Sequence, residues 1–230
     1  MSPIRVVFLV YPNVTQLDLT GPAQVLSRLP NAQVDLVWKS VDPVPTDSGF
    51  SLLPTATLDE VETADILCVP GGFGCVDVMH DDEALAWVRR VGGSAQWVTS
   101  VCTGSLILGA AGLLKGYRAT SHWAWSGYLT LFDAEPVAER VVFDRNRVTG
   151  GGVTAGIDFA LALTARIAGE EYARSVQLGI EYDPHPPFDS GTPDKAGATL
   201  VAKVYERSNR MAPDREKQIE TAAIRLTQRS

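Results

Sequence analysis

Cys102 is the residue of this chain best placed to act as a nucleophile. It ends an apolar run, Gln96 to Val101, and is followed by Thr103-Gly104-Ser105 and then by Leu106-Ile107-Leu108-Gly109-Ala110-Ala111. Small residues at that junction permit a sharp strand-to-helix reversal, the thiol counterpart of the strained turn that exposes a serine in α/β-hydrolases. Unpaired N–H groups and positive partial charge at a helix start favour thiolate over thiol. The carboxyl end of a strand in an open α/β sheet is also where ligands collect. Free cysteine is otherwise among the most buried residue types. That plainer reading suits Cys68, which lies inside an apolar run. Cys75 follows a glycine loop, where it could be exposed near the site, and nothing nearby gives it a role.

Two further segments carry residues suited to serve a thiol. Asp18 stands in the loop expected after the first strand, Tyr11 to Pro22, between Leu17 and Leu19. A carboxyl enclosed by apolar neighbours has a raised pKa and suits proton transfer. A helix N-cap near Thr20-Gly21-Pro22 is the equal alternative. Pro70-Gly71-Gly72-Phe73-Gly74 ends another apolar run. Its glycines would let backbone N–H groups approach a ligand, as an anion or oxyanion pocket requires. A bare turn is the alternative, and a phosphate loop is excluded because no lysine followed by serine or threonine stands at the required spacing.

The elements that must position these residues read as α/β. Ile4 to Val10 is nearly all apolar and β-branched, as in a parallel strand buried on both faces. Gln33 to Ser40 alternates more and belongs nearer a sheet edge. Asp65 to Val69 and Gln96 to Val101 are short buried strands, and Asp81 to Val91 between them has helical spacing through Ala84, Leu85 and Val88. Strand, helix, strand in that order requires a crossover and a doubly wound sheet. Arg140 to Asp144 and Arg147 to Thr149 form a hairpin about Arg145-Asn146. Helices follow over Thr154 to Ala168 and Glu170 to Tyr182, and Asp183 to Pro193 is a proline-rich surface arm. The tail, Ala196 to Arg229, reads as one or two amphipathic helices interrupted near Pro213. We expect one domain over residues 1–230, with a helical extension from about 194 to 230.

Composition narrows the function classes. With 45% hydrophobic residues in 230, the chain has enough apolar content for one large core. A net charge of -7 without a basic stripe argues against nucleic acid. No apolar stretch reaches the ~18 residues of a membrane span, and the start does not read as a signal peptide. Three cysteines without zinc-type pairing point to a reducing cytoplasm. No two of His80, His122 and His185 have metal-ligand spacing, and no cofactor is expected.

Asp18-Leu19-Thr20-Gly21-Pro22, Val69-Pro70-Gly71-Gly72-Phe73-Gly74, Val101-Cys102-Thr103-Gly104 and Ala119-Thr120-Ser121-His122-Trp123 together resemble the DJ-1/PfpI superfamily, most nearly its isonitrile (isocyanide) hydratase branch. The resemblance runs from the first strand to about Tyr182. It implies a flavodoxin-like sandwich with a mostly parallel central sheet, a nucleophile elbow and a homodimer, for which the first loop or the crossover helix offers a face. It also implies hydration of isocyanides to N-formamides. Cys102 would form a covalent thioimidate, Asp18 would relay protons, and the Thr103 hydroxyl would hold water. Gly71, Gly72, Gly151 and Val153 would shape the pocket, with Phe73, Trp123 and Trp125 as further walls. The glycine run Gly150-Gly151-Gly152 itself leaves two readings open: a bare turn, or a joint that lets the following helix shift when the thiol is acylated.

Thr103 departs from the related PfpI peptidases, which carry histidine directly after the nucleophile; a thiol without that base is poorly equipped for peptide cleavage. His122 has the spacing of the histidine in DJ-1-like members, yet a histidine packed between Ser121 and Trp123 fits equally. Regulators of the AraC type share this domain and add a DNA-binding module, for which the forty or so residues after Pro187 are too few and insufficiently basic. Another cysteine enzyme, glyoxalase-like or amide-hydrolysing, and a non-catalytic cysteine sensor remain the rival classes.

Overall fold

The computed structural model describes residues 3–229. Its centre is a seven-stranded sheet built from β1 (Ile4–Leu9), β2 (Ala32–Trp38), β5 (Ala56–Thr57), β6 (Ile66–Val69), β7 (Trp97–Val101), β10 (Val141–Asp144) and β11 (Arg147–Gly150). The order across the sheet is β10-β11-β7-β6-β1-β2-β5. Neighbours pair in parallel except β10 with β11, the expected hairpin. Two short pairs lie outside the sheet: β3 (Val44–Pro45) with β4 (Ser51–Leu52), and β8 (Arg118–Ala119) with β9 (Glu135–Pro136).

Both sheet faces are covered, which is why β6 is apolar throughout and β1 is apolar from Val6 onward, past the half-buried Arg5. Along β1, Val7 and Leu9 join one core while Val6 and Phe8 join the other. The first core packs against α2 (Cys75–Val78), α3 (Asp82–Ser94), α4 (Gly104–Ala110) and a 3₁₀ turn over Ser126–Phe132. The second packs against α1 (Gln16–Leu26), α5 (Ala155–Ala168) and α6 (Glu170–Gly179). Asp81 caps α3, its side chain accepting from Ala84 N at 3.1 Å.

The C-terminal extension is three helices, α7 (Pro193–Ala196), α8 (Ala198–Met211) and α9 (Arg215–Arg229), with the break at Pro213 as expected. They are not equally anchored. Ile219, Ala222 and Ala223 of α9 enter the first core, whereas α8 has no buried residue. The arm before them, 183–192, is almost wholly exposed.

Three expectations need correction. Asp18 lies not in a loop but in the first turn of α1, and Thr15, not a residue near Thr20, occupies the N-cap position. Gly21-Pro22 sits inside that helix: a Cβ on Gly21 would approach Ile157 of α5 at 3.2 Å, and one on Gly156 would meet Pro22 Cδ at 2.9 Å. Small residues thus let α1 and α5 approach closely, and this packing outweighs the helix-breaking tendency of Pro22. Second, Cys75 is fully buried at the start of α2 rather than exposed. Third, large exposed apolar side chains fall on 41–53, on Leu131 and Phe188, and on α6, α8 and α9, not on the crossover helix α3, whose outer face carries Glu83, Arg89 and Arg90.

Candidate active site

Four carboxyl ends of strands converge on one point. Cys102 follows β7, Pro70 to Gly72 follow β6, Gly151 follows β11, and the loop after β1 leads to Asp18 in α1. Cys102 takes a positive φ of 55°, a strained conformation for a residue with a Cβ, as an elbow demands. Its backbone is pinned on both sides. The N–H donates to Gly151 O at 2.8 Å and Gly150 O at 3.0 Å, and the carbonyl accepts from Ser121 Oγ at 2.9 Å and Ser105 Oγ at 3.1 Å. Gly104 makes the reversal fit: a Cβ there would lie 2.0 Å from Val69 O.

Asp18 faces this elbow across Gly71. A Cβ on Gly71 would meet Thr103 N at 2.5 Å, Asp18 Oδ2 at 2.8 Å and the Cys102 Cβ at 2.8 Å, so only glycine lets acid and thiol meet. Gly71 N donates to Asp18 Oδ2 at 2.9 Å. Asp18 Oδ1 is buried and makes no conventional hydrogen bond among the described residues, while the carboxyl sits against the Cys102 side chain and each shifts the other's titration. Only 1% of Asp18 is exposed. Burial pushes its carboxyl from 3.8 up to about 7, against the lowering pull of Gly71 N–H and the Cys102 side chain.

The thiol titrates in the direction opposite to the expected one. Burial first, and the Asp18 charge second, raise the Cys102 pKa well above its ordinary value, outweighing the Thr103 N–H that favours thiolate. Desolvation disfavours any charge, and a second negative charge beside a carboxylate is worse still. Acid and thiol are therefore coupled: the carboxylate disfavours thiolate, while the hydrogen bond from the Cys102 side chain favours the carboxylate. Cys102 is 6% exposed and lines a cavity of about 580 Å³.

The glycine loop plays a different part from the expected one. Gly71 N is engaged by Asp18, and Gly72 N donates to Thr103 Oγ1 at 2.9 Å, so neither N–H is open to a ligand. The Thr103 hydroxyl donates back to Gly72 O at 3.1 Å. These bonds lock the elbow against the β6 turn. Gly72 itself has φ 135° and stands so close to Asn13 O and Thr15 N that no side chain fits.

Phe73, His122, Trp125 and Val153 line the cavity with Cys102 and Thr103, whereas Trp123 lines a smaller neighbouring one. Gly151 serves through its carbonyl and is not a wall. His122 Nδ1 accepts from Ala124 N at 3.3 Å, which leaves the ring proton on Nε2, and burial holds its pKa below the usual value. Sequence reasoning missed Asp47, bonded by Thr15 Oγ1 at 2.6 Å, and the contribution of α8: Val204, Arg207, Ser208 and Met211 form one side of the cavity. Their i, i+3, i+4, i+7 spacing was the available signal; nothing in the sequence marked Asp47. Among the described residues, no three His, Cys, Asp or Glu side chains cluster as metal ligands, and no helix is long and apolar enough to cross a membrane.

Comparison with known proteins agrees with this architecture. The DJ-1/PfpI family model matches residues 4–166. An isonitrile hydratase from Pseudomonas putida is 49% identical over 226 residues, spanning 98% of this chain and 99% of that protein. A crystal structure of a ThiJ/PfpI family protein from Pseudomonas syringae superposes with a TM-score of 0.89 at 43% identity, covering 97% of this chain and 91% of the other. The HTH-type transcriptional regulator GbdR of Pseudomonas aeruginosa is 27% identical over 191 residues, 79% of this chain but 52% of its own length.

Proposed function

The chain belongs to the DJ-1/PfpI family, and from that premise we propose that it is an isonitrile hydratase, converting R–NC and water to R–NH–CHO. The observation that carries this reading is the 49% identity to the Pseudomonas putida isonitrile hydratase across nearly the full length of both chains. The geometry around Cys102 supports it.

The Cys102 sulfur attacks the terminal isocyanide carbon, forming the S–C bond. The thiol proton passes through the Asp18 carboxyl to the same carbon, giving the thioimidate R–N=CH–S–Cys102 with no net change of charge. Water then adds its oxygen to that carbon while Asp18 directs a proton to nitrogen. The C–S bond breaks, the hydroxyl proton returns to the acid–thiol pair, and the formamide leaves. A protonated thiol hydrogen-bonded to a carboxyl suits this sequence, since the first step needs nucleophile and proton carrier together. The Asp18 carboxyl, pushed up to about 7, exchanges protons near neutral pH. Thr103, whose hydroxyl exchanges hydrogen bonds with Gly72, holds the elbow in register with the β6 turn. Phe73, Trp125 and Val153 receive the apolar substituent.

The three free thiols support a reducing, cytoplasmic setting, and we place the enzyme there as a homodimer. Incubation with p-nitrophenyl isocyanide should yield the N-formamide with wild-type protein and none with Cys102→Ala. No formamide from the folded wild type would overturn the reading.

A further inference from the structure

Resting on that reading, we infer that Arg215 is a positioning residue that fixes α8 as the wall of the substrate cavity and so sets the size of isocyanide accepted. Arg215 opens α9 and is 3% exposed. Its guanidinium lies 4.6 Å from the centre of the Trp125 ring and 4.8 Å from that of Tyr205 in α8. Arg215 Nη1 donates to Ser208 Oγ at 2.6 Å. Two of these partners, Trp125 and Ser208, line the cavity that holds Cys102. One cation thus joins its aromatic wall to its helical wall.

The helix needs such a tie. α8 buries no residue of its own, and the exposed arm before it supplies little anchorage. α9, by contrast, is held firmly. Ile219 lies in the core, His80 Nε2 meets Gln218 O at 3.0 Å, and Arg225 bonds both His80 O at 3.3 Å and Asp82 at 2.6 Å. Arg215 transmits that fixed position to α8. Planar stacking on aromatic rings combined with directed N–H bonds is what guanidinium provides and ammonium does not.

The cost of the device is visible: Arg215 Nη2 is buried without a hydrogen-bond partner among the described residues. A buried, unsatisfied donor weakens the fold. Removing the guanidinium therefore relieves a penalty while it frees the helix. Arg215 touches neither thiol nor acid, so it acts on fit and not on chemistry.

The test compares wild type, Arg215→Met, Arg215→Lys and Ser208→Ala. With cyclohexyl isocyanide, Arg215→Met should raise KM about tenfold, the scale of losing a methylene-sized apolar contact, with kcat within about twofold. With an elongated biphenyl isocyanide, kcat/KM relative to the compact substrate should rise. Arg215→Lys should fall between, and Ser208→Ala should shift both in the same direction by less. A second readout needs no turnover: alkylation of Cys102 by a bulky maleimide, relative to iodoacetamide, should quicken about tenfold in Arg215→Met. Unchanged size selectivity in folded variants, by both readouts, would overturn the inference. Should Arg215→Met fail to fold, the lysine and Ser208→Ala variants carry the same test. Failure of the hydratase reading would show as no formamide from wild type, leaving the alkylation ratio to decide the role of Arg215.

Discussion

Replacing Asp18 with asparagine should make the protein more stable at alkaline pH while nearly abolishing its activity. The carboxyl is almost completely buried, and its pKa moves from 3.8 to about 7. At about 1.4 kcal/mol per pH unit, the ionised form costs the folded state about 4 kcal/mol, an upper figure because local relaxation recovers part of it. The sign follows from proton binding. Between about pH 4 and pH 7 the folded protein holds a proton that the unfolded chain has released, so stability falls as pH rises through that window and levels off above it. Asparagine is neutral throughout, and its amide oxygen still accepts from Gly71 N–H. Urea denaturation of both proteins at pH 4.5 and pH 8 isolates the difference, since all other groups are shared. Near pH 4.5 the two should be close; at pH 8 the variant should lead by about 2–4 kcal/mol. Activity should drop by about 100-fold or more, the usual worth of a general acid–base. A stability difference independent of pH would show that the buried charge is not the one described here.

Other perturbations probe the elbow. Cys102→Gly should be more stable than Cys102→Ala by about 1 kcal/mol, because φ of 55° is strained for alanine and free for glycine; thermal melts of the two inactive variants compare them directly, and equal stability would remove strain from the account. Gly71→Ala should lower kcat by about 100-fold, as its Cβ collides with Thr103 N and displaces both the elbow and Asp18, and circular dichroism should show the fold retained. Asp18→Asn also removes the negative neighbour that raises the Cys102 pKa, so iodoacetamide should alkylate Cys102 at lower pH in that variant than in wild type.

Much of the scaffold was legible because burial leaves a periodic mark. The mainly apolar, buried runs of β1, β6 and β7, the spacing in α3, and the break at Pro213 all reflect short-range constraints on which residues can face a core. The small residues after Cys102 marked the elbow for the same reason: a reversal that tight excludes Cβ atoms. Helix α1 escaped because Gly21-Pro22 is a local breaker, and what holds the helix is contact with Ile157 and Gly156, far along the chain. The roof of the cavity escaped likewise; the stripe on α8 was amphipathic, but no spacing reveals what an amphipathic face lies against.

Taken alone, the order of residues determined a doubly wound sheet, a cysteine at a strand end, and an acid and glycine loop at two other strand ends, because each follows from local propensity and hydrophobic period. Only the tertiary structure decided the charge of the site. Burial depth and the approach of Asp18 to Cys102 depend on how β1, β6 and β7 stack and on Gly71 having no side chain. Desolvation depends on everything that surrounds a group, so the raised pKa values of acid and thiol are a property of the packed molecule, not of any segment within it.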